Sequence, residues 1–305
     1  MHLTLQQMRL FEAVARHHSF TRAAEELHLT QPAVSIQLKR LEENAGVRLF
    51  EHMGKRLFLT PSGHAVHAAC LDVLGRLRSL DDALDDIRET VRGPLDLAVV
   101  TSAKYFIPHY LGAFIGTHPE VIPRLTVTNR TRVIERLADN RDDFVIMGQV
   151  PPELDVRAYP FLDNLLMIVA HPSHRLAGRT GIPLAALAEE RMLVRERGSG
   201  TRMALERMLA DHGATIRPYM ELGSTEAIKQ GVMANLGLSI LPRRSMELEL
   251  ETSRLITLDI DGFPLLRQWN VVHLSGKTLS KVARTFLESL LAGGPGLAMG
   301  QNHFS

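Results

Sequence analysis

Between Thr60 and Val91, apolar residues recur at intervals that alternate four and three without a break: Val66, Cys70, Val73, Leu77, Leu80, Leu84, Ile87 and Val91. Strands and loops do not keep such a period. It is the seam of a long helix that wants a second helix along it. Thr60-Pro61 has the form of a helix start, a hydroxyl cap followed by a proline where no backbone donor is needed. Gly93-Pro94 has the form of a stop. The charged run Asp81, Asp82, Asp85, Asp86 and Arg88 falls off the seam. Roughly thirty residues at ~1.5 Å each make a rod on the order of 45 Å long. A helix packed into its own domain's core is the plainer alternative, but the seam is narrow and enough chain for a domain flanks it on either side. The expectation is a dimerising linker helix over residues 60–92 that joins two modules.

A chain of 305 residues can hold two or three domains. Its formal net charge of +1 points to no acidic or basic partner, so any nucleic-acid surface must come from local clusters. The one cysteine, Cys70, sits on the seam. No disulfide can form within one chain, which fits a reducing compartment. Cys70 reads as a small core residue, with a redox contact across a dimer as the other option. Met1-His2-Leu3-Thr4 leads straight into an amphipathic pattern, without the basic region and apolar core of a signal segment, and no apolar run is long enough to span a bilayer. A soluble cytoplasmic protein with no membrane partner is expected. The Gly-rich stretch after Ala292 should fray, leaving a flexible tail over 294–305.

In the first module, residues 1–59, three helix starts are visible. Thr4 can cap a helix carrying Leu10, Phe11 and Val14, with Gln7 placed for a capping box. Ser19 can cap a short helix with Ala23, Ala24 and Leu27. Thr30 can cap a third with Pro32 in its first turn. On that third helix Val34, Leu38, Leu41 and Ala45 share one face, so Gln31, Pro32, Ser35, Ile36 and Lys39 project the other way. Two short helices, a tight turn and a helix with a small polar outer face describe a helix-turn-helix. Gln31 can pair with an adenine edge, Ser35 can donate or accept, and Ile36 can press on a thymine methyl. Lys39 and Arg40 are placed for phosphates, which give affinity without sequence information. Val47–Phe50 and Arg56–Leu59 are short strand candidates around Met53-Gly54-Lys55. The hairpin reads as a wing, with Lys55 and Arg56 touching backbone phosphates or simply solvated.

The run Met8-Arg9-Leu10-Phe11 followed by Ser19-Phe20-Thr21-Arg22-Ala23-Ala24-Glu25-Glu26-Leu27 resembles the LysR-type transcriptional regulators. So do Gln31-Pro32-Ala33-Val34-Ser35, Leu41-Glu42, Gly46, Leu49-Phe50 and Leu59-Thr60-Pro61-Ser62-Gly63. The resemblance covers the whole first module in order. It implies a winged helix-turn-helix, a linker helix that pairs with another protomer's, a tetramer built from such dimers, a C-terminal effector domain, double-stranded promoter DNA as partner, and RNA polymerase as a further one. Two positions depart from it: many members carry arginine where this chain has Ile36, and a basic residue where it has His52.

The second module, residues 93–293, alternates strand and helix patterns. Strands are expected at Leu95–Val100, Leu125–Thr128 and Asp143–Met147, and helices at Phe106–Ile115 and Thr131–Leu137. A second set of elements follows from about Leu165 to Leu265. A last strand at Gln268–Leu274 and a helix at Leu279–Leu291 could return to the first sheet. Alternation argues for parallel sheets with crossover helices, which bind ligands where strands end. The resemblance implies two lobes crossed twice, like a periplasmic solute-binding protein. The fold class expected is therefore α/β overall: an all-α winged helix-turn-helix N-terminal domain, a long linker helix, and a two-lobed periplasmic-binding-protein-like α/β effector domain.

Chemistry gathers at the predicted strand ends. Thr101, Ser102 and Lys104 follow the first, Asn129 and Arg130 the second, Gly148 and Gln149 the third. Gly198-Ser199-Gly200-Thr201-Arg202 precedes a helix and can offer backbone donors, hydroxyls and a guanidinium to an anion. Ser224, Thr225 and Glu226 open another helix, ahead of Lys229. Taken one at a time these are ordinary caps and solvated cations; as a set at matching strand ends they suggest a polyanionic small molecule. Several of these stretches, among them Thr101-Ser102-Ala103-Lys104-Tyr105-Phe106 and Ser224-Thr225-Glu226-Ala227-Ile228-Lys229-Gln230-Gly231, are similar to one branch of the family, the regulators of carbon-fixation (RuBisCO) operons. That branch implies an effector such as a phosphorylated sugar, phosphoenolpyruvate or NADPH, with no bound cofactor.

Enzymatic alternatives find little in the residues. His171 and His174 lack a neighbouring carboxylate or cysteine pair for a metal. Ser199 is not in a nucleophile-elbow context, and no phosphate-cradling G-x-x-x-x-G-K motif occurs. No catalytic residue and no metal ligand is expected. A solute-binding transport protein is opposed by the added N-terminal module.

Overall fold

The computed structural model describes residues 3–54, 56–87 and 90–293, with side chains at 53, 56, 78–79 and 81–87 outside that description. The chain divides into two compact units, one mainly residues 1–90 and one mainly residues 91–293.

The first unit opens with α1 (Leu5–His17), α2 (Phe20–Glu26) and α3 (Gln31–Ala45). Each start is fixed by a hydroxyl. Thr4 Oγ1 accepts from the Gln7 N–H (3.2 Å) while the Thr4 N–H donates to Gln7 Oε1 (3.1 Å), a reciprocal capping box. Ser19 Oγ accepts from the Arg22 N–H (3.3 Å) and Thr30 Oγ1 from the Ala33 N–H (3.4 Å). Leu10, Phe11 and Val14 meet Ala23, Ala24, Val34, Leu38 and Leu41 in one core. The alanines leave room for α2 to lie close to its neighbours.

Strands β1 (Phe50–Met53) and β2 (Arg56–Leu59) pair antiparallel as the wing. The first strand was expected from Val47. It starts three residues later because Glu42 Oε1 accepts from the N–H groups of Leu49 (2.7 Å) and Phe50 (3.1 Å), pinning the chain as it leaves α3. Lys55, expected at the wing tip, lies outside the described residues, as does the side chain of Arg56.

Helix α4 (Pro61–Ile87) starts at Thr60, whose Oγ1 accepts from the Gly63 N–H (3.0 Å) and donates to the Arg48 carbonyl (2.7 Å). Gly63 is required there, since a Cβ would overlap the Leu49 carbonyl oxygen. The seam divides. Val66 and Cys70 pack into the winged core, so this half serves its own domain. Val73 and Leu80 are exposed in the single chain and Leu77 is half-buried. The expected helical reach to residue 92 is too long. Residues 88–89 lie outside the description, Thr90–Arg92 are not helical, and Gly93 (φ +108°) opens a strand rather than ending a helix. The side chains of Leu84 and Ile87 and the acidic run from Asp81 to Asp86 lie outside the described set, together with Arg88 and the tail from 294.

The second unit runs β3 (Gly93–Val100), α5 (Ile107–Thr117), β4 (Val121–Thr128), α6 (Arg130–Ala138), β5 (Phe144–Met147), β6 (Val156–Ala170), β7 (Met192–Arg195), α7 (Gly200–Asp211), β8 (Pro218–Leu222), α8 (Thr225–Met233), β9 (Ser239–Pro242), α9 (Glu247–Glu251), β10 (Ile256–Thr257), β11 (Leu265–Leu274) and α10 (Lys281–Leu291). Pairing is parallel for β3–β4, β3–β5 and β7–β8, and antiparallel where β6 meets β9, β10 and β11. The seven-stranded sheet is therefore mixed, not purely parallel as the alternation suggested, while the separate β7–β8 pair is parallel. Strand β4 starts at Val121, ahead of the expected Leu125. It lies at the end of the sheet order, where Pro123 need not donate to a further strand.

Two strands, β6 and β11, cross from one lobe to the other. Residues 156–160 of β6 and 270–274 of β11 lie in the first lobe, where β11 also pairs with β5. Residues 166–170 of β6 lie in the second, against β9 and β10. The register slips between Trp269 and Asn270, midway along the crossing. Ala98, Val133, Leu137, Val145, Met147 and Val272 form a core in the first lobe. Phe286 of α10 covers the other face against Phe114 and Phe144. Ile168, Leu205, Leu209 and Ile240 anchor α7 in the second lobe, and Val169, Leu193, Ile228 and Val232 anchor α8.

Candidate functional site

The helix-turn-helix presents its polar face as expected. Val34, Leu38 and Leu41 of α3 are buried, while Gln31, Pro32, Ser35, Ile36, Lys39 and Arg40 are all exposed. Ile36 is 55% exposed, a large apolar side chain on an otherwise polar face. That combination suits a base edge with a methyl group better than water alone. His52 on the wing stacks on Phe20, with ring centroids 6.3 Å apart.

A cavity of about 180 Å³ lies between the lobes of the second unit, where strands end and the crossing strands pass. It is lined by Thr101 and Ser102 after β3, Arg130 at the start of α6, Gly148 and Gln149 after β5, and Ser199, Gly200 and Thr201 at the start of α7. These elements come from both lobes, so the expected strand ends do converge. Ser199 makes no side-chain cap to α7, and its hydroxyl is not spent on the helix's first turn. The free N–H groups there, with the Thr201 hydroxyl, form a donor set suited to an anion.

Half of the expected anion residues lie elsewhere. Arg202 turns away from the cleft: its Nε donates to Glu206 (2.7 Å), and its Nη1 to Glu221 (2.6 Å) and to the Arg195 carbonyl (2.9 Å). The bond to Glu206, and then that to Glu221, outweigh burial and raise the guanidinium's pKa further. Asn129 caps α6 through the Arg132 N–H (3.0 Å). Lys104 lies over the Tyr105 ring at 5.0 Å. Thr225 and Glu226 are also outside the lining but act on it or beside it. Thr225 Oγ1 accepts from Arg195 Nη1 (2.8 Å), and Glu226 Oε2 accepts from the Tyr105 hydroxyl (3.0 Å), joining the two lobes. Burial, and then this bond to Glu226, push the Tyr105 phenol's pKa up, so it remains a donor.

Sequence reasoning missed Arg195, Glu196, Asn164, Arg267 and Trp269, all in the lining. Arg195 and Glu196 had a local signal: an abrupt charged pair after the apolar Met192-Leu193-Val194 and just ahead of the Gly-Ser-Gly turn. Asn164 and Trp269 had none, because only the crossing of β6 and β11 brings them to the cleft. Arg130 Nε, Asn164 Oδ1 and Trp269 Nε1 are buried without a hydrogen-bond partner among the described residues. All three residues line the cleft, which makes them candidates to meet a polar ligand. A Cβ on Gly148 would come within 3.2 Å of Asn164 Nδ2, so glycine lets the end of β5 lie close to the crossing strand. His171 and His174, considered as metal ligands, pair instead with Ser173 (2.7 Å) and Glu190 (3.4 Å).

Among the described residues, no helix is long and apolar enough to cross a membrane. Residues 5–64 match the bacterial regulatory helix-turn-helix protein of the lysR family, and residues 88–294 match the LysR substrate binding domain. The RuBisCO operon transcriptional regulator of Allochromatium vinosum is 46% identical over 292 residues, 96% of this chain and 97% of that protein. The HTH-type transcriptional activator CmpR of Synechocystis is 42% identical over 289 residues, 95% of each. Among solved structures, the regulatory domain of Synechocystis CcmR in complex with 2-PG is 44% identical, with a TM-score of 0.65, and covers 67% of this chain and 98% of that one. Full-length OxyR from Pseudomonas aeruginosa, 20% identical over 95% of this chain and 98% of its own, has a TM-score of 0.76 and shares the fold. With a DNA-binding helix-turn-helix at one end and a two-lobed effector domain at the other, the chain belongs to the LysR family of bacterial transcriptional regulators.

Proposed function

We propose that this regulator controls carbon-fixation genes and that a small phosphorylated carboxylate, bound between the lobes, is its effector. The observation that carries the effector reading is the convergence of Thr101, Ser102, Arg130, Gln149, Ser199 and Thr201 on one cleft with the start of α7. Similarity to RuBisCO-operon regulators over nearly the whole chain supports the target genes. The CcmR complex supports the ligand class, since 2-phosphoglycolate carries both a phosphate and a carboxylate. The cavity of about 180 Å³ favours such a compact molecule over NADPH. Clefts that bury drug-sized ligands run to roughly 300–1,000 Å³.

In this reading Gln31, Pro32, Ser35 and Ile36 meet base edges in the operator, while Lys39, Arg40, Lys55 and Arg56 meet phosphates. Two copies pair along the outer half of α4, dimers assemble into tetramers, and the assembly works on promoter DNA in the cytoplasm beside RNA polymerase. The effector acts by binding one arrangement of sensors better than another.

Calorimetric titration of the full chain with 2-phosphoglycolate, phosphoenolpyruvate and NADPH tests the effector. Saturable binding of a phosphorylated carboxylate is expected, weakened about tenfold by Thr201→Ala through loss of one anion hydrogen bond. DNA binding should be unchanged by that substitution. Binding of all three ligands unaffected by Thr201→Ala would move the effector out of this cleft.

A further inference from the structure

We propose that Glu196 is a built-in competitor for the effector. Its carboxylate holds the Arg195 fork until a ligand's own carboxylate takes its place. This rests on the reading of the cleft as the effector site.

Arg195 is only 5% exposed and is fixed from several sides. Its Nη1 donates to Thr225 Oγ1 (2.8 Å) and its Nη2 to Thr101 Oγ1 (3.2 Å), so both lobes hold it. Its carbonyl accepts from Arg202 (2.9 Å). The remaining edge faces Glu196: Nε to Oε2 at 2.8 Å and Nη2 to Oε1 at 2.9 Å. That is the two-pronged geometry an incoming carboxylate would make. Both residues line the cleft. The Glu196 side chain keeps 24% of its surface in water, against 5% for Arg195. Glu196 therefore has a way out and Arg195 does not. A buried guanidinium left unpaired is costly, so whatever releases Glu196 must itself be anionic.

The start of α7 supplies a second, independent donor set, through Ser199, Thr201 and free N–H groups, that suits a phosphate. A phosphate ester without a carboxylate can use that set and leave Glu196 in place. A short phosphorylated carboxylic acid can use both. Glu196 thus sets specificity by charging a toll only at the second subsite: the apparent affinity is the intrinsic one scaled by the fraction of molecules whose fork is open.

The test is calorimetric titration of the full chain and of Glu196→Gln and Glu196→Ala with 2-phosphoglycolate and with glycerol 3-phosphate. Glutamine keeps the volume, and ligand-free melting curves check that each variant is folded. Both variants should bind 2-phosphoglycolate at least about tenfold tighter, with glycerol 3-phosphate changing less than about threefold. Weaker binding of 2-phosphoglycolate would make Glu196 a ligand contact. An equal gain for both ligands would make it a diffuse repulsive charge. Either result overturns the proposal, as does tight wild-type binding with no gain in the variants, which leaves the cleft reading intact. If wild type and both variants bind neither ligand, the cleft reading fails and the competitor with it.

Discussion

Cys70 shows how a residue's surroundings settle its chemistry. Burial in the winged core, and then the nearby Glu12 carboxylate, push its thiol up to about 11. The thiolate is the reactive form. At pH 8 iodoacetamide should therefore label Cys70 only after unfolding, and mass spectrometry showing prompt labelling of the folded chain would refute its core role. Glu226 is shifted the other way. Burial raises its pKa, but hydrogen bonds from Gln230, Lys229 and Tyr105 outweigh burial and lower it below the ordinary 4.5. A depressed carboxyl stabilises the fold above its unfolded pKa, and that stability is lost as pH falls through the folded value. Glu226→Gln should thus lower the sensor's melting temperature at pH 7, and lower it less at a pH well below the ordinary carboxyl range. An equal loss at both pH values would remove the ionised form from the argument. Residue types near strand ends were legible, but the direction of each side chain was not. Arg202 looked like an anion ligand and is spent on Glu206 and Glu221, whereas Arg195, seven residues earlier at the end of β7, faces the cleft.

Among elements, those that depend on near neighbours were the easiest to read. The starts of α1, α2 and α3 follow from Thr4, Ser19 and Thr30, each bonded to an N–H three residues on. The wing was read three residues early because Glu42, seven residues before Leu49, decides where the ladder begins. The crossing strands were out of reach for the same reason on a larger scale: β6 finds its partner β11 about a hundred residues later. Helix α4 was read correctly as long but wrongly as one uniform seam, because periodicity does not say which helix fills which part of it. Its outer part carries the prediction proper to this scale. Leu80 is 58% exposed, so Leu80→Lys should leave the protomer folded while turning dimers into monomers in sedimentation velocity. An unchanged sedimentation profile would place the pairing surface elsewhere.

For the whole molecule, a net charge of +1 means that attraction to DNA has to come from the few cations around α3 and the wing. Affinity should fall with added salt, and Lys55→Ala should reduce the log–log slope by about one for every sequence alike. Ser35→Ala should leave the slope alone and relax preference at one base pair by about 1–3 kcal/mol. Gel-shift titrations that gave the two variants the same pattern would contradict this division of labour. Strands β6 and β11 constrain what the sensor can say to those DNA heads. Each is shared by both lobes, so a change in the angle between the lobes is a bend or twist of the same two strands. Such a bend on binding a metabolite would fall beside the slipped register at Trp269.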